Sequence, residues 1–384
     1  KQFFDDNRAW LVPYSVFSVL RDKYRSPDFV EWTELSEYNP QEVERMGAPE
    51  SDYYSKVAFY YFLQYHLHRQ LVEVRDYAHS KDVALKSDVP IGVSPRSVDA
   101  WMEPQLFNTN MQAGAPPDDF SVTGQNWGFP TYNWEEMAKD NYQWWKKRFR
   151  KFVEYFDAYR IDHILGFFRI WEIPGDAVWA LTGSFNPALP FSVADLRQRG
   201  LWWDDDRYLK PYLKEHVIRS IFGQYADDVM REYLVVDGWQ SFRFKPEYDT
   251  QKKVEAHFAA LGYNFTKKEL QIRDGLYALH CEVLFVRDKN HPQLVHPRIS
   301  MQSSYTFRDL DDNTRRTLDT IYVEYFYHRH NEYWKSEAMK KLPAIISATN
   351  MLVCGEDLGM VPDSVPEVMH RLKLATLEIQ RMPK

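Results

Sequence analysis

Apolar residues between Asp52 and Ser80 recur at mostly three- and four-residue intervals: Val57, Tyr60, Tyr61, Leu67, Leu71, Val74 and Ala78. This spacing predicts a helix with one broad apolar face. Residues 1–50, which hold Trp10, Pro13, Val16, Phe17, Val19, Leu20, Trp32 and Pro40, predict short helices and loops. After the helix, Asp82 to Val89 reads as a short strand that Pro90 and Gly92 turn. Helix followed by strand is the repeat of an α/β fold. Periodicity fades over residues 94–133, and long aperiodic stretches inside compact domains tend to carry function. It returns at residues 134–157, where Trp145, Phe149, Phe152 and Phe156 are spaced four, three and four apart. The basic residues there, Lys146, Lys147, Arg148, Arg150 and Lys151, are expected on solvated faces of this second helix.

The run Phe156–Trp171, FDAYRIDHILGFFRIW, is strongly apolar and aromatic, and Tyr159 to His163 reads as a buried strand. Arg160, Asp162 and His163 stand inside it. Charge in such a run is paired or used. One reading is a structural Arg-Asp pair at a strand end. The other is a reactive carboxylate, which Arg160, two residues earlier on the same strand face, would keep ionised. His163 faces the other side, unless the strand ends there.

Residues 175–343 change character, with loops at Pro187, Pro190 and Pro211 and helices expected at Lys267–Val286 and Asn313–Met339. The segment contains no catalytic motif and reads as a mainly helical insertion. Asp204-Asp205-Asp206 reads as a solvated loop. His66 and His68, like His328 and His330, are two apart, so on a helix they point about 200° away from each other and share no metal readily. Met351–Cys354 then predicts a strand carrying Glu356 and Asp357 at its C-terminal end. Val361–Leu372 predicts a helix, and Ala375–Met382 a last strand.

Three predicted strands thus end in acids: Asp88, Asp162 and Glu356. C-terminal strand ends are where parallel α/β folds keep their ligands. A nucleophilic carboxylate opposite a proton-donating one is what glycoside chemistry needs, with retention of configuration when the two stand about 5–5.5 Å apart. In the aperiodic stretch, Gln125 and Asn126 offer amides and Trp127 a flat ring, the equipment for holding a sugar. A rigid structural loop is the alternative there.

Composition narrows the picture. Aromatics are 16% of 384 residues and hydrophobic residues 44%, enough for a large core and for rings that stack on sugars. A net charge of −7 argues against nucleic acid. No run reaches the roughly 20 apolar residues of a membrane helix. Two cysteines, Cys281 and Cys354, point to a reducing compartment, hence the cytoplasm. No metal or cofactor is expected, and oligomeric state is open.

Taken together, Asp88-Val89-Pro90-Ile91, Gly114-Ala115-Pro116-Pro117-Asp118, Gly124-Gln125-Asn126-Trp127-Gly128, Tyr159-Arg160-Ile161-Asp162-His163 and Gly355-Glu356-Asp357-Leu358-Gly359 resemble the 4-α-glucanotransferases of glycoside hydrolase family 77. The resemblance covers about residues 1–174 and 344–384 and implies a (β/α)8 barrel. It implies Asp162 as nucleophile and Glu356 as general acid/base. It further implies Asp88, Asp118, Gln125, Asn126, Trp127, Arg160, His163 and Asp357 as sugar-site residues, and maltose, maltodextrin, glycogen or starch-like polymers as partners. The separation of 194 positions from Asp162 to Glu356 exceeds the spacing of compact members and resembles the type with a long insertion. The expected parts are therefore 1–174 and 344–384 as barrel, partial in this chain, and 175–343 as insertion. The family's third catalytic carboxylate and its first barrel strand have no counterpart here, so a middle portion of a longer protein is expected. A retaining α-glucan hydrolase and a non-catalytic glucan-binding fragment are the alternatives.

Overall fold

A computed structural model describes residues 1–262 and 264–380. It contains a three-stranded parallel sheet in the order Lys86–Val89, Ala158–Ile161, Leu352–Gly355. The register aligns Asp88, Arg160 and Cys354 in one row, and Val89 and Gly355 flank Ile161. The central strand forms because Tyr159 and Ile161 are fully buried while Arg160 faces the open side. The flanking strands are partly open as well, with Lys86, Asp88 and Leu352 exposed and Val89, Val353 and Gly355 buried. Ala375 adds a single parallel bridge to Cys354, so the expected last strand begins in register; its residues 381 and 382 lie outside the described residues.

A second sheet is antiparallel. Its order is Gln125–Asn126, Met111–Ala115, Ile170–Pro174, Ser184–Asn186. The aperiodic stretch is therefore largely sheet and turn, and the chain after Asp162 crosses from one sheet to the other through a 3-10 turn at Ile164–Phe167. The two sheets and the helices around them share one core, rich in fully buried rings such as Trp145, Tyr159, Phe167 and Trp171.

Several expectations change. Residues 1–50 contain a 23-residue helix, Gln2–Tyr24, with Pro13 inside it. The helix expected between Asp52 and Ser80 is Tyr54–His79, but of its predicted face only Val57 and Ala78 are buried. Its first half packs on Gln2–Tyr24, while Leu67, Leu71 and Val74 are exposed. The predicted 134–157 helix breaks at Asn141 and Tyr142, both left-handed at φ 60° and 59°, into Trp134–Lys139 and Gln143–Phe152. Its basic residues are not all solvated. Lys146 is buried, and the Arg148 guanidinium lies 4.6 Å and 5.0 Å from the Trp144 and Trp145 rings.

Residues 175–343 hold more strand than expected. Phe285–Arg287, Leu294–Pro297 and Phe191–Ser192 form an antiparallel sheet, and Leu234–Val236 pairs with Phe242–Phe244. The expected Lys267–Val286 helix stops at His280, and a five-residue π-helical turn, Glu324–His328, interrupts the later one. Residues between Leu213 and Leu279 build a core of their own, whereas Phe185, Phe191, Phe285, Trp334 and Ile345 belong to the main core. Asp204 caps a helix, Asp205 pairs with Arg287 and Asp206 with Lys210. The triplet expected as a solvated loop is instead the start of the Asp205–Tyr208 helix.

Candidate active site

Asp162 and Glu356 each stand one residue past the end of adjacent parallel strands. The ladder continues beyond those ends. Asp162 N–H donates to Val89 O at 3.0 Å, Glu356 N–H to Ile161 O at 2.9 Å, and Ile164 N–H to Glu356 O at 3.0 Å. Gly355 permits the close approach: a Cβ there would sit 2.7 Å from both Ile164 Cδ1 and Met369 Cε. Both carboxylates open into one cavity of about 870 Å³.

The strand carrying Asp162 ends at Ile161, and His163 adopts a left-handed φ of 48°. The turn brings the His163 ring into the cavity instead of onto the opposite sheet face. There it meets the Trp127 ring edge-on, with centroids 5.0 Å apart. The His163 main-chain N–H donates to Glu356 Oε2 at 2.9 Å, and Leu358 N–H donates to Oε1 at 3.0 Å. Both oxygens of Glu356 are thus held by backbone.

The environments of the two acids differ. The Glu356 side chain is 13% exposed and that of Asp162 is 41%. Burial raises Glu356 above the usual carboxylate range, the two backbone donors oppose this, and the charge of Asp162 adds to the rise. Asp162 is also raised, chiefly by burial. Arg160, whose Nη2 donates to Asp162 Oδ1 at 3.1 Å, pulls it down, as its position on the strand suggested, but does not prevail. Arg160 also clamps Asp88 with Nε at 2.9 Å and Nη2 at 2.6 Å. Asp88 therefore reaches Asp162 through Arg160, and it is not among the cavity-lining residues. Burial lowers His163 to about 3, so its ring is neutral.

Asp118, Gln125 and Trp127 line the cavity. Asp118 Oδ1 accepts from Phe120 and Ser121 N–H and fixes the rim turn. Gln125 Oε1 accepts the Trp127 indole N–H at 3.0 Å, and the indole stacks on Phe129 at 5.6 Å. Four residues expected at the sugar site are not in the cavity lining: Asp88 and Arg160, which pair with each other, and Asn126 and Asp357. The Asn126 amide donates to Val178 O at 3.2 Å and accepts from Gly128 N–H at 3.0 Å, holding the Trp127 loop. Asp357 is buried and accepts from Leu377 N–H at 3.0 Å, because next to Glu356 it points away from the cavity.

Sequence reasoning missed Arg169. It is 2% exposed and lines the cavity beside Met360, whose carbonyl accepts its Nη2. Burial lowers it to about 9. The signal was available: an arginine in the apolar run Phe167-Phe168-Arg169-Ile170-Trp171. Among the described residues no cluster of three potential metal ligands occurs.

The arrangement sets two carboxylates, one more enclosed than the other, and an aromatic ring on the wall of one cleft. A family model described as 4-alpha-glucanotransferase matches residues 1–384. The chain is 41% identical to the 4-alpha-glucanotransferase DPE2 of Oryza sativa subsp. japonica over 385 residues, which is 100% of this chain and 41% of the rice protein. It is 36% identical over 170 residues to a 4-alpha-glucanotransferase of Chlamydia pneumoniae, 44% of this chain and 32% of that one. Among solved structures, the amylomaltase from Streptococcus agalactiae in complex with acarbose aligns over 84% of this chain and 73% of its own, with a TM-score of 0.45 and 21% identity. The chain thus spans less than half the length of the two curated relatives.

Proposed function

The chain belongs to the 4-alpha-glucanotransferase family, and from that premise we propose that Asp162 and Glu356 carry a retaining transfer of α-1,4-glucan units. An Asp162 carboxylate oxygen attacks the anomeric carbon of a maltose or maltodextrin donor. The bond from that carbon to the glycosidic oxygen breaks as Glu356 gives the departing oxygen its proton. A glucosyl or glucanosyl ester on Asp162 results. Glu356, now ionised, takes the proton of an acceptor hydroxyl. That oxygen attacks the same carbon and releases Asp162, so two inversions leave the configuration retained.

One observation carries the role assignment: both acids open into one cavity, yet Glu356 is the more enclosed and its two oxygens are fixed by His163 and Leu358 N–H. An enclosed carboxyl with a raised pKa suits the proton donor. The more open Asp162, beside Arg160, suits the nucleophile. Trp127 supports transfer over hydrolysis, since a ring at the cavity wall favours a bound acceptor over water. The three parallel strands with ligand groups at their C-terminal ends fit one sector of a (β/α)8 barrel. Residues 175–343 fit an insertion, since the segment between Leu213 and Leu279 packs on itself. The free thiols of Cys281 and Cys354 suit a reducing cytoplasm.

The experiment is product analysis on the full-length protein given maltotriose. Longer oligosaccharides together with glucose are expected. Glucose and maltose without longer products would make the protein a hydrolase, and no turnover would leave a binding module.

A further inference from the structure

Adjoining the candidate catalytic cavity is a smaller one of about 250 Å³, and Arg169 and Met360 line both. We propose that this side cavity is a saccharide subsite that takes one further glucose unit of a long α-glucan, contiguous with the catalytic cleft. The proposal rests on the glucan-transfer reading of that cleft.

Arg169 is the first observation. A buried guanidinium is costly without partners. It stacks on Phe185 and Trp334, 4.5 Å and 5.3 Å from their centroids, and donates once to Met360 O. Its Nε is buried and has no partner among the described residues. A donor held in this state at the junction of two cavities suits a ligand hydroxyl, which accepts without needing a charge.

The far wall is the second observation. The π-helical turn Glu324–His328 presents Tyr327, 54% exposed, at the cavity. Such turns often mark functional positions. Asn331 follows, its Nδ2 3.5 Å from Asp363 Oδ2. Asp363 precedes the Ser364–Arg371 helix without a side-chain capping bond to it. An exposed phenol ring, an amide, a carboxylate and a guanidinium around a hexose-sized space match a sugar's flat face and its ring of hydroxyls. A phosphate or carboxylate ligand is disfavoured by Asp363.

The test uses calorimetric binding of maltose and maltoheptaose to the full-length protein carrying Asp162→Asn, which removes turnover. Adding Tyr327→Ala is expected to weaken maltoheptaose by roughly five- to ten-fold more than maltose. Tyr327→Phe should restore the affinity, and Asn331→Ala should reproduce the selective loss. Equal losses for both sugars, or none, would overturn the subsite. Should the unmutated protein transfer glucan while no length-selective loss occurs, the subsite falls and the transfer reading stands. If selective loss occurs without transfer in the unmutated protein, the reverse holds. If neither sugar binds and no transfer occurs, both fall.

Discussion

The main-chain amide of His163 donates to Glu356 Oε2 at 2.9 Å, so the residue that follows one candidate catalytic acid holds the other. The pair is also coupled through space, since the charge of Asp162 raises Glu356. Removing that charge with Asp162→Asn should lower the Glu356 pKa. Titration of a carbon-13-labelled Glu356 carboxyl measures it directly. An unchanged or higher value would separate the two groups electrostatically.

Roles can be told apart by leaving group. Asp162→Asn should remove transfer from maltotriose altogether. Glu356→Gln should slow it by about 10²- to 10⁴-fold, the usual contribution of a positioned proton donor. With α-maltosyl fluoride, whose fluoride departs without a proton, the first step of the Glu356→Gln protein should recover much of its rate, while Asp162→Asn stays inactive. Recovery in the Asp162 variant instead would reverse the assignment.

Arg160 lowers Asp162, and burial raises it. Arg160→Met should therefore lift the Asp162 pKa further and move the acid limb of the kcat/KM profile to higher pH. Arg160→Lys should move it less. A shift to lower pH would contradict the geometry.

His163 is buried and lowered to about 3. Its folded pKa lies below its unfolded one, so its contribution to stability is complete above about 6.5 and is lost as pH falls toward 3. Between those limits it costs about 1.4 kcal/mol per pH unit. His163→Gln should flatten the acid side of a stability-versus-pH curve measured by urea unfolding. A curve that keeps the same slope would show that His163 stays charged in the fold.

Phe167 is fully buried, with ring centroids 5.3 Å from Trp134 and 5.1 Å from Trp145. Phe167→Ala should cost about 3–5 kcal/mol in denaturant unfolding. A loss below 1 kcal/mol would mean that the turn after Asp162 is not packed as described.

What was legible in the sequence was what short-range pattern controls. The Tyr54–His79 helix, the Lys86, Ala158 and Leu352 strands and the acids at their ends follow from spacing and from charge within apolar runs. Backbone placement was not legible. No pattern announces that His163 takes a left-handed φ, or that its amide, not its ring, binds Glu356. Asn126 and Asp357 had suitable chemistry and the wrong direction, since a one-residue change of facing moves a side chain out of the cavity. The exposed Leu67, Leu71 and Val74 show that an apolar helix face need not be covered along its whole length.

The hydrogen-bonded register between Ala158–Ile161 and Leu352–Gly355 sets the two candidate acids side by side across a long sequence separation. Asp162 and Glu356 are 194 positions apart in sequence and held as next-door neighbours by backbone bonds from Glu356 N–H to Ile161 O and from Ile164 N–H to Glu356 O. The joining segment is not uniform: Leu165, Arg169 and Trp171 line the cavity and Phe185, Phe191, Phe285, Trp334 and Ile345 fill the main core, whereas the stretch between Leu213 and Leu279 packs on a core of its own. Shortening or exchanging that self-packed stretch leaves the backbone bonds at both acids in place; cutting elsewhere in the segment takes away cavity wall or core.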